Sequence, residues 1–411
     1  MTPLRIQEVK EPGPKWDRLV ESTVGGTYCH LAGWWIVMSQ VLGHRCHYLE
    51  AWQRDGVGRG FEWGGRGNRR GGDEEGGEEG GGREGTLVGL LPLVSVRSRL
   101  FGKYLVSMPF LNYGGPLGGR EARTLLAREA LTRAKEMGVD LLELRDRSGE
   151  ATGGGGEAKE AADVVGTQEA SETDEAGATE ESHPSLDGMD PELELTHRKV
   201  SVVLPLPDDP EVLWKDVLRS KVRSQVRRPM KEGLEARFGP DQVEAFYEVF
   251  SVHMRDLGTP VLSRELFEAL PRVFGERVRF CVIYRDGAPV AAGCGFHCRG
   301  EFEITWASAL RDHARVAPNM LLYWRMMEAA IEGGARAFNF GRCTPDTGSH
   351  RFKRQWGGED LPLPWAAWSP RGELATPNPD QGKYQAAVAL WQRLPVPLTR
   401  ILGPPLARRI P

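Results

Sequence analysis

The segment FNFGRCTPDTGSHRFKRQWGG, residues 338–358, joins a short apolar strand to a polar, glycine-containing loop and a basic segment. In α/β folds, a loop of this kind at the carboxyl end of a strand commonly carries binding residues. Lys353, flanked by arginines, could hold a developing oxyanion or a phosphate. The alternative interpretation is a basic surface turn anchored by Phe352 and Trp356. The pattern alone leaves both interpretations open.

Outward from this segment, the strand at 335–340 follows a predicted helix at 319–332 and a glycine turn. The same order of helix, glycine turn and strand occurs at 121–145, as a duplicated α/β unit would produce. Elsewhere strands and helices alternate without regular βαβ repetition, and hairpins are frequent. The sequence therefore predicts a mixed α/β (α+β) protein whose mixed sheets are flanked by helices, and not a doubly wound sheet.

Two acidic, glycine-rich segments interrupt this pattern, near residues 56–85 and 148–192. They contain few side chains to bury, so they cannot offset the entropy of ordering, and we predict disordered inserts. The remaining chain divides into an N-terminal domain at 1–196, a C-terminal domain at 197–370 and a proline-rich helical tail at 371–411.

Charge and cysteine usage narrow the class of protein. The net charge is −4, but the acidic residues concentrate in the inserts, so the folded parts are more basic and are compatible with an anionic substrate. Six scattered cysteines lack the spacing of a zinc site and indicate reduced thiols, and no metal is expected. No secretory signal and no apolar run of about 20 residues is seen, which predicts a cytoplasmic protein, located at the inner face of the membrane if the tail contacts lipid.

Two further patterns are typical of anion binding. Arg223 and Arg227 lie four residues apart on one predicted helical face, with Arg228 beside them, and guanidinium forks match the oxygens of a phosphate. Arg315 and Asn319 flank a helix start, where free amides can bind an anion. A solvated charged face and an ordinary capped helix start are the respective alternatives.

Taken together, these segments resemble the FemAB family, and more narrowly the FemAB-like proteins associated with exosortase (PEP-CTERM) and exopolysaccharide loci. The resemblance extends from about residue 4 to 368, apart from the two inserts. Besides the opening segment, the residues that carry it are PFLNYGGPLG (109–118), LLELRDR (141–147), KVRSQVRRPMKEGLE (221–235), FYEVFSVHMRDLGTPVLSRELF (246–267) and APNMLLYW (317–324).

The resemblance implies two tandem GNAT-like domains. Fem peptidyltransferases extend the peptide of a cell-wall precursor with aminoacyl-tRNA, and relatives use acyl-CoA, so the donor stays open and no tightly bound cofactor is expected. The family's Arg-x3-Arg element falls on Arg223 and Arg227, and its Phe-Lys element falls on Phe352 and Lys353. The substrate-binding residues implied or suggested in this way are Arg223, Arg227, Arg228, Asn112, Tyr113, Arg315, Asn319, Arg342 and Phe352.

One departure concerns the donor. GNAT domains that use CoA carry small residues before the pyrophosphate-binding helix, but here Pro318 and Met320 replace them. Proline has no amide hydrogen for a phosphate, and methionine crowds the turn. The candidates for chemistry are Lys353 as the oxyanion-stabilising residue, with Glu303 and Asp346 as candidate bases, each of which also has a structural interpretation.

We therefore predict an acyl or aminoacyl transferase that forms an amide on an amine of a cell-envelope or exopolysaccharide precursor, either a small molecule or lipid-linked. The expected partners are that precursor, tRNA if the donor is aminoacyl-tRNA, and the membrane surface through the tail. The alternatives are an acyl-CoA-dependent N-acetyltransferase of a nucleotide-sugar or polysaccharide precursor, and a non-catalytic GNAT-like scaffold in envelope assembly. The transferase hypothesis expects Arg223 and Lys353 to converge on one cleft.

Overall fold

The computed structural model describes residues 3–54, 85–98, 102–147, 190–372 and 382–410. The two predicted inserts lie almost entirely outside these ranges. Within them, strands from both halves of the chain form one 13-stranded mixed sheet with helices on its faces. This architecture confirms the predicted fold class.

The strands follow one another from the N-terminal half to the C-terminal half. In chain order they are β1 Leu4–Val9, β2 Arg45–Gln53, β3 Thr86–Ser98, β4 Gly102–Val106, β5 Leu117–Gly118, β6 Leu141–Arg145, β7 Glu194–Pro205, β8 Glu235–Phe238, β9 Val278–Arg285, β10 Ala288–Cys298, β11 Glu301–Ala309, β12 Ala337–Cys343 and β13 Glu359–Trp368. Across the sheet the order is β1-β2-β3-β4-β6-β13-β7-β12-β11-β10-β9-β8, and β5 pairs with β3.

The helices cover the sheet and form the C-terminal tail. They are α1 Pro14–Ser22, α2 Gly33–Ile36, α3 Arg120–Met137, α4 Pro210–Val212, α5 Ser220–Lys231, α6 Val243–Leu257, α7 Arg264–Phe274, α8 Pro318–Glu332, α9 Gly348–Arg354, α10 Gly382–Gln392 and α11 Val396–Ala407. No helix in the described ranges has the length and apolarity that crossing a bilayer requires.

Two helical segments are interrupted. The segment at 209–232 consists of α4, a π-helical turn at Leu213–Val217 and then α5, because Leu218 is extended and its amide bonds back to Leu213. The segment at 27–42 begins as a 3-10 turn at Tyr28–His30, continues as α2 and ends in a second π-helical turn. Helical periodicity does not distinguish these turn types from α-helix.

The two halves repeat one topology. In the first, β2, β3 and β4 form an antiparallel meander, α3 follows, and β6 then pairs parallel to β4. In the second, β9, β10 and β11 form the meander, α8 follows, and β12 pairs parallel to β11. The duplicated unit expected from the sequence is therefore present. β13 pairs with both β6 and β7 and so joins the two halves. The predicted boundary at 196/197 falls within β7 and stays a prediction.

Aromatic stacking also joins the halves. The ring of Tyr28 lies parallel to that of Phe296 on β10, with centroids 4.5 Å apart. Phe296 also contacts Trp34 from the first half and Phe274 and Trp306 from the second. All five side chains belong to, or pack against, one hydrophobic cluster that contains residues of both halves. Burial of this cluster therefore couples the stability of the two units.

We predict that Phe296→Ala lowers the free energy of unfolding by about 3–5 kcal/mol, because it removes a buried aromatic side chain and leaves a cavity. Urea denaturation followed by circular dichroism should show one transition at lower urea. The matched control, Phe238→Ala, removes a ring that is exposed and should change stability by no more than about 0.5 kcal/mol. Two separate transitions, with only one displaced, would contradict the coupling.

Candidate active site

The site is built where β11 and β12 separate. These strands pair in parallel at only three positions, of which Glu303 opposite Asn339 is the last. Both strands continue beyond this pair, to Ala309 and to Cys343. Gly341 adopts a left-handed φ of 72°, which glycine permits at low cost, and its amide donates to Asn339 Oδ1 at 2.8 Å. The strands therefore diverge next to Glu303.

Glu303 lies at the junction of the two halves. Its Oε1 accepts hydrogen bonds from the Tyr28 hydroxyl at 3.0 Å and from Asn112 Nδ2 at 2.6 Å, and both donors come from the first half. Thr305 donates to the Tyr28 hydroxyl at 2.9 Å and fixes its direction. Glu303 Oε2 is buried and has no hydrogen-bond partner among the described residues. One oxygen is thus held in place and the other is free to accept a proton.

Burial makes this carboxyl a weak acid. Glu303 is 1% exposed, and burial, with a further contribution from the charge of Glu301, raises its pKa from 4.5 to about 7. The hydrogen bonds from Asn112 and Tyr28 and the charge of Arg147 oppose this rise. A general base works best when its pKa is near the operating pH. Glu303 therefore has the location and the pKa of a proton acceptor.

A second network orients the strand ends. Asn339 Nδ2 donates to the Tyr113 hydroxyl at 3.0 Å and to Glu301 Oε1 at 2.9 Å, and its Oδ1 accepts from Ser201 at 2.7 Å. Since Ser201 has a single hydrogen and gives it to Asn339, Tyr113 donates to Ser201 across 2.8 Å. Arg147 binds both carboxylate oxygens of Glu301, at 2.8 and 2.6 Å. The carboxylate of Glu301 is thereby paired with a cation, whereas no cation among the described residues lies within ion-pair distance of Glu303.

Lys353 reaches the same strand end from α9. Its ammonium donates to the carbonyl of Gly341 at 2.7 Å and to that of Arg342 at 2.9 Å. The side chain is buried, and burial lowers its pKa to about 8. Glu303 favours the charged form and Arg342 disfavours it. A lysine has three N–H donors, so one is left beyond these two bonds. Near neutral pH, Lys353 is therefore a cation beside the buried acid.

Two cationic side chains, those of Arg342 and Arg145, lie next to this site. Their guanidinium groups each lie 4.8 Å from the centroid of the Trp365 ring. Arg145 is paired with Glu143 at 2.7 Å, but no carboxylate among the described residues lies within ion-pair distance of Arg342. Arg342 is exposed, yet the surrounding protein and the charge of Arg145 lower its pKa to about 10. Solvent contact combined with surrounding protein is what a side chain lining a cleft experiences.

The arginines of α5 lie apart from this network. One guanidinium nitrogen of Arg223 donates to the carbonyls of residues 214, 215 and 218, at 2.7–3.0 Å. These bonds give partners to carbonyl groups at the end of the π-helical turn that precedes α5. Arg227 lies over the ring of Trp214, and Arg228 is exposed. The buried valines of α5 pack in the cluster that contains Phe302 and Ile304, the two neighbours of Glu303 on β11. Since strand neighbours point to opposite faces, α5 covers the face of the sheet away from Glu303.

Phe352 of α9 packs against the same cluster as α5, so the helices that carry Arg223 and Lys353 share one core. The described contacts of Arg223 are nevertheless with the backbone of its own segment. The substrate-binding roles of Arg223, Arg227, Arg228 and Phe352, and their convergence with Lys353 on one substrate, stay predictions.

The remaining candidates lie on loops. Asp346 is exposed, and its amide donates to His350 within the turn that begins α9. Arg315 is exposed, and Asn319 is half-buried in the first turn of α8. At that helix start, the amides of Ala317 and Met320 are used within the turn, since they donate to carbonyls at 314 and 317. Pro318 contributes no amide hydrogen, so most of an anion-binding helix start is missing here.

Sequence reasoning thus found part of the network. It singled out Glu303, Lys353, Arg342, Asn112 and Tyr113, and the structure brings these together. Of the partners that it missed, Arg147 and Asn339 lie in the quoted segments LLELRDR and FNFGRC, whereas Tyr28, Ser201, Glu301 and Thr305 lie outside the quoted segments. The polar residue types in those two segments were a usable signal. Nothing in the sequence pairs Arg147 with Glu301, which follows it by 154 positions.

Comparisons with known proteins agree with this fold. Residues 219–354 match the family model described as acetyltransferase (GNAT) domain. Among solved structures, FemX is 13% identical with a TM-score of 0.55, and the alignment covers 94% of this chain and 100% of FemX. A conserved protein of unknown function from Bacteroides thetaiotaomicron is 9% identical with a TM-score of 0.51, covering 89% and 100%. No curated protein sequence matches the chain.

A tandem GNAT protein from the clavulanic acid biosynthesis pathway is 13% identical with a TM-score of 0.46, covering 89% of this chain and 98% of that one. At these identities the structural likenesses concern the fold, and the GNAT domain match lies in the second half of the chain. The protein is an acyltransferase with a tandem GNAT-like fold.

The raised pKa of Glu303 predicts a pH-dependent effect of Glu303→Gln on stability. Between pH 4.5 and about 7, this carboxyl is protonated in the native protein but ionised in the unfolded chain. The free energy of unfolding of the wild type therefore falls as the pH rises through this interval. At roughly 1.36 kcal/mol per pH unit, this interval corresponds to about 3 kcal/mol. Glu303→Gln does not lose this free energy, so its stability relative to wild type should increase by about 3 kcal/mol between pH 4.5 and pH 8.

Urea denaturation at a series of pH values measures this gain, and Glu359→Gln, which changes an exposed carboxyl, is the matched control. A pH-independent difference between Glu303→Gln and wild type would show that the carboxyl titrates normally.

Proposed function

We propose that the protein transfers an acyl or aminoacyl group to an amine of a cell-envelope or exopolysaccharide precursor, with Glu303 as the proton acceptor. The observation that carries the chemical part is the Glu303 carboxyl, which has one oxygen held by Tyr28 and Asn112 and the other buried without a hydrogen-bond partner among the residues that the structure describes. A group that accepts a proton from an attacking amine needs this combination of fixed direction and an available oxygen.

The proposed reaction forms a C–N bond and breaks a C–O or C–S bond. The neutral amine attacks the carbonyl carbon of an ester or thioester donor, and the proton released from its nitrogen passes to Glu303. Lys353, with the N–H that its two carbonyl partners leave unused, stabilises the negative charge that develops on the carbonyl oxygen. When the intermediate collapses, the proton returns from Glu303 to the departing alcohol or thiol, and the carboxylate is regenerated.

The proposed class of acceptor, an envelope or exopolysaccharide precursor, rests on the resemblance to FemAB proteins and on the cationic side chain of Arg342 beside the site. We propose that Arg342, stacked on Trp365 and without a carboxylate partner among the described residues, holds an anionic group of a substrate. A phosphate or diphosphate, as in a small-molecule or lipid-linked precursor, suits a guanidinium because its oxygens accept paired hydrogen bonds.

Among donors, we favour an aminoacyl ester, with tRNA as its carrier. The start of α8 uses the amides of Ala317 and Met320 internally and has Pro318 between them, so it offers little to the diphosphate of CoA. The second candidate is an acyl-CoA-dependent N-acetyltransferase, which the GNAT domain match favours. Calorimetric titration with acetyl-CoA separates the two, since only the second requires binding.

The pKa values predict a narrow, bell-shaped dependence of kcat/KM on pH. Activity needs deprotonated Glu303 and protonated Lys353, so it should rise through about 7 and fall through about 8. Because the groups interact, these midpoints belong to the pair. Glu303→Gln should lower kcat/KM by roughly 100-fold or more and abolish the acidic limb.

Lys353→Met should lower kcat and abolish the alkaline limb, whereas Glu359→Gln should leave the profile unchanged. An unaltered acidic limb in Glu303→Gln would remove Glu303 as the base. If neither charged tRNA nor acetyl-CoA supports transfer at any pH, the non-catalytic scaffold interpretation replaces the enzyme.

The anion site is tested with inorganic pyrophosphate as the probe. Arg342→Gln should weaken its binding at least tenfold in calorimetric titration, because the unpaired guanidinium is lost. Arg227→Gln is the matched control, since it also removes an exposed guanidinium that lies on a tryptophan ring, but one that belongs to α5. A loss of binding in Arg227→Gln and not in Arg342→Gln would assign the anion to α5 instead.

The acceptor itself is identified by mass spectrometry of envelope polymers and their precursors, compared between cells with the wild-type protein and cells with Glu303→Gln. The proposal expects an amide-linked acyl or aminoacyl substituent that only the wild type adds. Identical precursor profiles would contradict the envelope assignment.

A further inference from the structure

The C-terminal helix α11 packs on the second half through small residues. Helix α11 contacts α6, and the α11 residues that it buries are Thr399, Gly403 and Ala407, spaced four apart. A Cβ at Gly403 would come within 2.9 Å of the backbone nitrogen of Val261, so the helix lies very close to the preceding layer. The inner face of α11 is therefore formed by small side chains and one hydroxyl.

The outer face of α11 is apolar. Leu398, Ile401, Leu402 and Pro405 are exposed and follow the spacing i, i+3, i+4, i+7, which places them on one stripe. Ile401 is 70% exposed, and Leu390 on α10 is 65% exposed. An ordinary surface helix turns such a stripe toward the core. Here the stripe faces outward, and small residues face inward.

The charges that residues 381–411 contribute around this stripe have one sign, and one exposed carboxylate of another helix, that of Glu265 on α7, lies beside Pro405 and Arg408. Residues 381–411 contain no aspartate or glutamate, but they contain one lysine and four arginines. Arg393, Arg408 and Arg409 are exposed, whereas Arg400 is partly used in binding Ser251. Exposed aliphatic side chains among an excess of cations are complementary to a surface that is apolar inside and negatively charged outside.

We propose that the outer stripe of α11, together with Leu390 and the surrounding arginines, docks this protein on an anionic lipid surface. The aliphatic side chains would enter the boundary between headgroups and acyl chains, and the guanidinium groups would bind lipid phosphates. The inference goes beyond the acyl-transfer site and does not rest on it, because none of these residues belongs to the network around Glu303.

A second copy of the chain fits this surface less well. In a symmetric dimer the same patch meets itself, so Arg408 and Arg409 of one copy would approach those of the other. Like charges brought together in this way oppose association, and residues 381–411 contain no acidic residue to pair with them. A lipid surface supplies the missing negative charge.

The test is flotation of the full chain with vesicles of phosphatidylglycerol and phosphatidylcholine mixed in equal parts, and with vesicles of phosphatidylcholine alone. We expect binding to the anionic vesicles, at least tenfold weaker binding to the neutral ones, and release as salt is raised. Ile401→Gln combined with Leu402→Gln should reduce binding to the anionic vesicles at least tenfold, because two exposed aliphatic side chains are lost.

The matched control is Val24→Gln combined with Phe238→Gln, which changes two apolar residues that are exposed elsewhere. It should bind anionic vesicles like wild type. Equal binding by both double variants would overturn the proposal, as would equal binding of wild type to both vesicle types. Self-association of wild type in sedimentation, lost in the α11 variant without any vesicle binding, would overturn it in favour of a protein interface. Activity on a soluble acceptor should be unchanged in both variants.

Discussion

The site depends on a buried carboxylic acid that two halves of one chain hold between them. Glu303 stands on a strand of the second half, but the donors that fix its Oε1 are Tyr28 and Asn112 of the first half. Removing a carboxylate from water is costly unless it is paired, and the structure gives the nearby Glu301 a paired arginine while it gives Glu303 none. The result is an acid whose pKa lies close to neutrality.

The fold explains why this arrangement needs two units. A single GNAT-like unit opens a gap where its two parallel strands separate, and in the second half this gap exposes one flank of Glu303. The first half covers that flank, since its residues 107–116 bring Asn112 and Tyr113 to the strand end. Two features fix the first half against the second: the sheet that continues through β13, and the stacking of Tyr28 on Phe296. The packing between the halves thus determines the chemistry of the site.

Much of this could be predicted from the sequence where the signal was local. The helix, glycine turn and strand at 121–145 were found because periodicity and a helix stop coincide there, and α3, Gly138 and β6 are their structural counterparts. Lys353 and Glu303 were identified from residue type and position. Local signals do not predict contacts that depend on tertiary geometry. The carbonyls that Arg223 binds and the π-helical turn before α5 are examples. The pairing of Arg147 with Glu301 is equally nonlocal, and it determines which of two glutamates on one strand stays unpaired.

With a pKa of about 7, Glu303 should be protonated in roughly half of the folded molecules at neutral pH. Infrared difference spectra of wild type against Glu303→Gln, recorded across a pH titration of the folded protein, report the C=O stretch of the protonated carboxyl directly. A band that belongs to Glu303 and disappears with a midpoint near pH 7 is the expected result. A midpoint near 4.5, the ordinary value for a glutamate, would contradict it.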